Sequence, residues 1–184
     1  MATGSFQGQL LLASSRLVDP NFARAVVLMV SHGEEGSLGL VLNRPLEMTV
    51  KEACEQVLET TCNIDGPLHQ GGPCEGPLMV LHTQTAASGL EPEIVPGIHF
   101  TTDRGIIESL LNDADVTAKY FVGYSGWGPG QLEAEIEIGS WIRANANKEL
   151  IFDDKTDQWA RLMTASTLGQ NIRPEQIPDD PSMN

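Results

Sequence analysis

The chain is poor in basic residues, with 11 Lys and Arg against 25 Asp and Glu, a formal charge of −14 and a pI near 4.5. Such a field repels a phosphate backbone, so generic nucleic-acid binding is disfavoured. Long apolar runs are also missing. The longest, residues 25–30, holds six residues, whereas a membrane-spanning helix takes about 20. No transmembrane helix is expected. No basic residue precedes Arg16, and the apolar stretch at 10–13 is too short for a signal-peptide core. The cytoplasm is therefore the expected compartment. Three cysteines, Cys54, Cys62 and Cys74, do not make a disulfide framework. No histidine follows His99, which rules out a hydrolase triad in the order Ser125, Asp, His.

What is present is a globular composition. Of 184 residues, 41% are hydrophobic, and mean hydropathy is −0.13, enough for one domain with its own core. We read a single domain over 1–168 and a polar tail over 169–184. The tail carries Pro174, Pro178 and Pro181 and is expected to be disordered.

The pattern predicts short strands first and helices between later strands, an α+β class. Residues 7–13, 24–31 and 38–43 read as an antiparallel meander, with a glycine-containing hairpin turn at 32–36. Arg44-Pro45 ends the third strand. Residues 49–59 read as a helix. Thr49 and Glu52 form its capping box, and Cys54 falls on its apolar face as a small core residue. Residues 65–77, with four glycines and three prolines, read as a loop of special backbone geometry. Strands are expected at 78–83, 94–101, 118–124 and 140–144, and helices at 103–112, 131–138 and 157–168. Residues 84–93 read as a polar loop.

Several features could carry chemistry. The segment Gly123-Tyr124-Ser125-Gly126-Trp127-Gly128-Pro129-Gly130-Gln131 reads as strand, glycine-rich turn and helix start. Such a turn can cradle a phosphate. Glu133 and Glu135 already complement the helix dipole, however, and no basic residue lies between Lys119 and Arg143. A structural turn with Trp127 packed into the core beside Tyr124 is the stronger reading, followed by a site for a neutral or amide-bearing ligand. Arg44, beside Asn43, could clamp a carboxylate, although pairing with one of the many acidic residues is the simpler expectation. Gly71-Gly72-Pro73 reads as a tight turn. His69, Cys74 and His82 could hold a metal, but their spacing matches no common zinc pattern.

The runs Gly8 to Ala13, Asp19-Pro20-Asn21-Phe22, Gly39 to Pro45, Gly71-Gly72-Pro73, Leu81-His82 and Gly123-Tyr124 to Glu133 occur in this order. Together they closely resemble the bacterial YqgE/AlgH family over about residues 8–168. Ser125 stands where alanine is usual and Cys74 where valine is usual, so neither side chain is given a family-wide role. The resemblance implies a mixed, strongly bent sheet closing into a pseudo-barrel with helices packed outside. It carries no established activity. The transcriptional-regulator label of some members names a phenotype more than a mechanism.

The leading expectation is a non-catalytic, cytosolic binding or regulatory protein without a cofactor or metal. Its partner would be an unidentified protein or small molecule, and its state a monomer or small homo-oligomer. The residues expected to touch that partner are Asn43, Arg44, Gly71, Gly72, His82, Tyr124, Trp127 and Gln131. The alternatives are an enzyme using His82 or a weak metal site, and a regulator that binds DNA directly. No basic recognition helix is evident for the last.

Overall fold

A computed structural model describes residues 4–58, 62–84 and 92–167. The expected disordered tail at 169–184, most of the expected polar loop at 84–93 and the end of the expected helix at 49–59 lie outside the described residues. Among those described, no helix is long and apolar enough to cross a membrane.

Strands β1 (Gln9–Ala13), β2 (Val26–Gly33) and β3 (Gly36–Val41) form the expected antiparallel meander. β1 and β2 are buried on both faces, because Leu10 and Leu12 point to one core and Leu11 and Ala13 to another. The third strand stops at Val41, before Arg44-Pro45 rather than at it, and Pro45 opens β4 (Pro45–Thr49). Proline is tolerated at the first position of a strand because its missing N–H breaks no ladder there. The capping box forms as expected: Glu52 N donates to Thr49 Oγ1 at 3.2 Å, and Thr49 N to Glu52 Oε2 at 2.8 Å. The helix α1 (Val50–Ala53) then widens into a π-helical turn over Cys54–Leu58. Cys54 is a core residue whose thiol is pushed up to about 12, first by burial and then by the nearby Cys62.

The region read as one loop, 65–77, holds two strand segments: β5 (Pro67–Gln70) and the start of β6 (Cys74–His82). β5 is four residues long and begins at proline, too little pattern for the sequence to declare a strand. The stretch 94–101 is a hairpin, β7 (Glu93–Val95) and β8 (Ile98–Thr101), turning at Pro96-Gly97. Helix α2 (Arg104–Leu110) is capped by Asp103, which accepts from Ile106 N at 3.0 Å.

β9 (Ala118–Trp127) is longer than expected and continues through Ser125 and Gly126 into the segment read as a turn. Helix α3 (Gln131–Glu137), β10 (Trp141–Asn145) and α5 (Gln158–Thr167) are near their expected places. The short helix α4 (Lys148–Ile151) is an addition, capped by Asn147.

The strands run in the order β10-β1-β2-β3-β9-β6-β8-β7, with β4 and β5 beside this path. β5 is parallel to β9; the other pairings are antiparallel. The sheet curls strongly. A Cβ on Gly8, just before β1, would collide with the Ile94 carbonyl of β7, so the two ends of the path approach each other. The result is an α+β half-barrel with helices packed on its sheets. Ile151 of α4 and Leu162 of α5 pack on the leucines of β1, β2 and β3, while α2 packs on Val80 and Tyr120.

Bend and closure depend on one crossing. Gly123 takes φ +70°, a left-handed conformation that side chains with a Cβ resist. A Cβ on Gly71 would run into the Gly123 carbonyl, and one on Gly72 into Tyr124 and Ser125. β9 therefore pairs with β5 and β6 before the bend and with β3 after it.

The segment around Trp127 is part of the core. Trp127 does not pack beside Tyr124: three positions apart on one strand, the two side chains leave on opposite faces. Trp127 instead packs against Phe22 and Trp141, with ring centroids at 6.0 and 5.9 Å. Glu135 accepts from the indole N–H of Trp127 at 2.9 Å and of Trp141 at 2.8 Å, rather than merely answering the helix dipole. Removing that acceptor strands two indole donors. Glu135→Ala is therefore expected to lower unfolding free energy by about 2–4 kcal/mol, measured by urea denaturation, with Glu135→Gln costing less.

Candidate functional site

A cavity opens where β3 turns into β4. One wall is the corner Leu42-Asn43-Arg44-Pro45, the other is the segment 153–157 between α4 and α5, and His69 of β5 lies between them. Its volume is about 450 Å³, within the range of small-molecule sites.

Local hydrogen bonds explain the first wall. Asn43 uses both ends of its amide on the neighbouring strand: Val26 N donates to Oδ1 at 2.9 Å, and Nδ2 donates to the Arg24 carbonyl at 2.9 Å. This brace holds Arg24 at φ +55°, a left-handed backbone uncommon for arginine. The Arg44 guanidinium donates to the Ala23 carbonyl, and the Arg44 carbonyl accepts from Gln70 N at 2.9 Å. Burial holds the Arg44 pKa below its ordinary value, yet the group stays a cation at neutral pH.

The second wall has a matching irregularity. Asp157 is the other described non-glycine residue with positive φ, at +58°. Its carboxylate meets Arg24 Nη2 at 2.8 Å across the rim, and the Arg24 guanidinium lies 5.0 Å from the Trp159 ring centre. Left-handed backbone of this kind costs about 1–3 kcal/mol and concentrates at functional sites.

Charge is matched pair by pair around the cleft. Lys119, only 4% exposed, holds Asp154 Oδ1 at 3.1 Å and donates to the Ile151 carbonyl at 3.4 Å. Burial lowers the Lys119 pKa, and Asp154 opposes that shift. Arg161 pairs with Asp153. Five of the chain's 11 basic residues, Arg24, Arg44, Lys119, Lys155 and Arg161, thus gather at this cleft or directly behind it.

His69 is 3% exposed, yet it lines both this cleft and a smaller cavity beside Tyr120 and Phe152. Its Nε2 is 3.9 Å from Asp154 Oδ1. Burial pushes its pKa down to about 4, and the Lys119 charge adds to that. Asp154 and the carbonyls of Pro67 and Tyr120 oppose the shift, although neither carbonyl meets Nδ1 with hydrogen-bond geometry. The ring is neutral at pH 7 and offers one donor and one acceptor.

The structure divides the residues expected from the sequence. Asn43 and Arg44 stand on the cleft. Arg44 also faces a small polar cavity with Gln70 and Gly72, so Gly72 is near it, while Gly71 is pressed against Gly123. Tyr124 and Trp127 line a separate open depression with Cys74 and Gly126. Gln131 braces its own turn, accepting from Gly128 N at 3.1 Å and donating to Glu135 at 2.9 Å. His82 is fully buried with its ring 5.8 Å from that of His99.

The weak metal site is corrected. Cys74 and His82 are the two ends of β6, roughly 25 Å apart at strand rise, and among the described residues no group of three or more His, Cys, Asp or Glu could hold a metal ion. The simpler expectation for Arg44 is corrected as well: no ion pair joins it to a carboxylate among the described residues. His69 was considered only as a ligand of that metal. Arg24, Lys119, Asp154 and Asp157 had no sequence signal, because their meaning depends on backbone angles and on contacts between distant segments.

A curled α+β half-barrel with a charged cleft at one corner is thus the class of molecule described. The chain belongs to the AlgH-like family (DUF179), whose model matches residues 10–171. A UPF0301 protein of Chlorobaculum tepidum is 41% identical over 182 residues, covering 96% of this chain and 95% of that protein. A UPF0301 protein of Ruegeria pomeroyi is 36% identical over 156 residues, covering 82% and 85%. The solution structure of the AlgH protein from Pseudomonas aeruginosa, also UPF0301, matches with a TM-score of 0.71 at 28% identity, covering 93% of each chain. A crystal structure of a Corynebacterium diphtheriae protein shares the fold, with a TM-score of 0.66.

The buried neutral His69 makes stability depend on pH. Its pKa is about 4 in the folded chain and near 6.5 when exposed, so between these values the unfolded chain binds more protons. The contribution is complete above pH 6.5 and is lost as pH falls toward 4. It is on the order of 3 kcal/mol. Denaturation midpoints of wild type should fall more steeply than those of His69→Gln over this window; parallel curves would show that His69 is not held neutral.

Proposed function

We propose that this protein is a non-catalytic, cytosolic binding protein of regulatory character, whose small-molecule site is the cleft between the β3–β4 corner and the segment 153–157. The observation that carries this reading is the cleft's composition. Three of the chain's 11 basic residues, Arg24, Arg44 and Lys155, line it beside Asp153, Asp154 and Asp157, with Lys119 and Arg161 holding two of those aspartates from behind, around a buried histidine whose Nδ1 has no hydrogen-bond partner among the described residues. Buried polar atoms of this kind are normally satisfied, and a ligand is one way to satisfy them.

The chemistry of the walls favours holding a ligand over transforming it. The cleft's lining contains no serine or cysteine. Ser125, the one residue resembling a nucleophile elbow, is fully buried and donates to the Gly71 carbonyl at 3.1 Å. His82, the base of the enzymatic alternative, is sealed in the core. A net charge of −14 supports regulation through a protein or small-molecule partner rather than through direct contact with DNA.

The test is a thermal-shift measurement against the small-molecule fraction of a bacterial extract. A ligand at about 100 times its Kd adds about 2.7 kcal/mol, which raises Tm by roughly 5–10 °C for a chain of this size. Wild type is expected to shift and a folded Arg44→Gln variant is not. A shift kept by Arg44→Gln but lost in Tyr124→Ala would move the site to the depression beside Tyr124.

A further inference from the structure

Three aspartates around the cleft have cationic partners: Asp153 has Arg161, Asp154 has Lys119 and Asp157 has Arg24. Arg44 differs. Its described side-chain hydrogen bond goes to a neutral carbonyl, that of Ala23, and among the described residues no carboxylate forms an ion pair with it. Its planar fork has donors beyond the one facing Ala23. Half-burying a guanidinium with no counter-charge is unfavourable unless a partner arrives.

The rest of the lining limits what that partner can be. Pro45 and Pro67 present apolar surface beside Arg44, over the buried Leu42. His69 provides a neutral donor and acceptor deeper in. Each aspartate of the opposite wall is paired with its own cation, so the guanidinium of Arg44 is matched by one negative charge on a ligand.

Building on the cleft as the binding site, we propose that its ligand is a small monocarboxylate with an apolar body. The carboxylate lies on the Arg44 guanidinium, and the body rests against Pro45 and Pro67. A planar, singly charged acid suits the guanidinium fork, whereas a phosphate carries about −1.5 to −2 charges near neutral pH, more than one guanidinium matches.

The experiment titrates the full chain with phenylacetate, phenylacetamide and inorganic phosphate, followed by two-dimensional amide NMR. Phenylacetate is expected to give saturable shifts at residues 42–44, 68–70 and 153–158. Arg44→Gln should weaken it between about tenfold and a hundredfold, the range of hydrogen bonds to a charged group. Arg44→Lys, which keeps the charge without the fork, should fall between; with an unchanged Tm it also answers the concern that Arg44→Gln folds poorly. Phenylacetamide binding the same residues as tightly as phenylacetate would overturn the monocarboxylate and leave the cleft as the site. Phosphate binding more tightly than phenylacetate would overturn it in favour of a phosphate-bearing ligand. No response at the cleft to any of the three would overturn it and count against the cleft itself.

Discussion

The structure hangs on the crossing of two backbones without side chains between them. Gly71 and Gly72 leave β5 and pass directly against Gly123 and Ser125 of β9. No residue with a Cβ fits there without moving the main chain. The contact lets β9 leave one sheet and join the other, and it fixes β5 parallel to β9 with His69 opposite Phe121. The Val41 amide donates to the Gly71 carbonyl at 2.8 Å, so the end of β3 is tied to the same point. His69 and the Arg44 corner are neighbours because both are anchored to this crossing.

From there the cleft follows by short steps. Asn43 braces Arg24 in a left-handed conformation, and Arg24 reaches Asp157 on the far wall. Lys119, one residue before Tyr120 on β9, holds Asp154 from below. The walls are therefore joined by ion pairs with segments far apart in sequence. A buried charge with its partner removed is costly, which ties the position of the 153–157 segment to the sheet. The cleft is a built feature rather than a gap left by packing.

Much of the fold was legible in the sequence, and the reasons are local. The β-branched run in β2, the capping box at Thr49 and Glu52, and the apolar face of α2 each declare themselves within a few residues. β5 did not, because four residues opening on proline carry no period, and its parallel partner is about fifty residues away. The glycine-rich segment misled in the other direction. Its glycines suggested a turn from residue 125 on, but Gly126 belongs to β9, and Trp127, a core side chain as expected, packs on Phe22 and Trp141 rather than beside Tyr124, its indole satisfied by Glu135. Arg44 was recognised as a potential carboxylate clamp, but not that no carboxylate among the described residues pairs with it. That fact depends on where the chain sends its aspartates. The AlgH-like membership was readable from ordered motifs across nearly the whole chain, and the family model and relatives bear it out.

The most direct measurement is amide hydrogen exchange on the full chain, with and without the small-molecule fraction of a bacterial extract. Slower exchange at residues 42–44, 68–70 and 153–158, with 124–131 unchanged, is the expected result. Protection confined to 124–131 would contradict the cleft as the site and return the glycine-rich segment to that role.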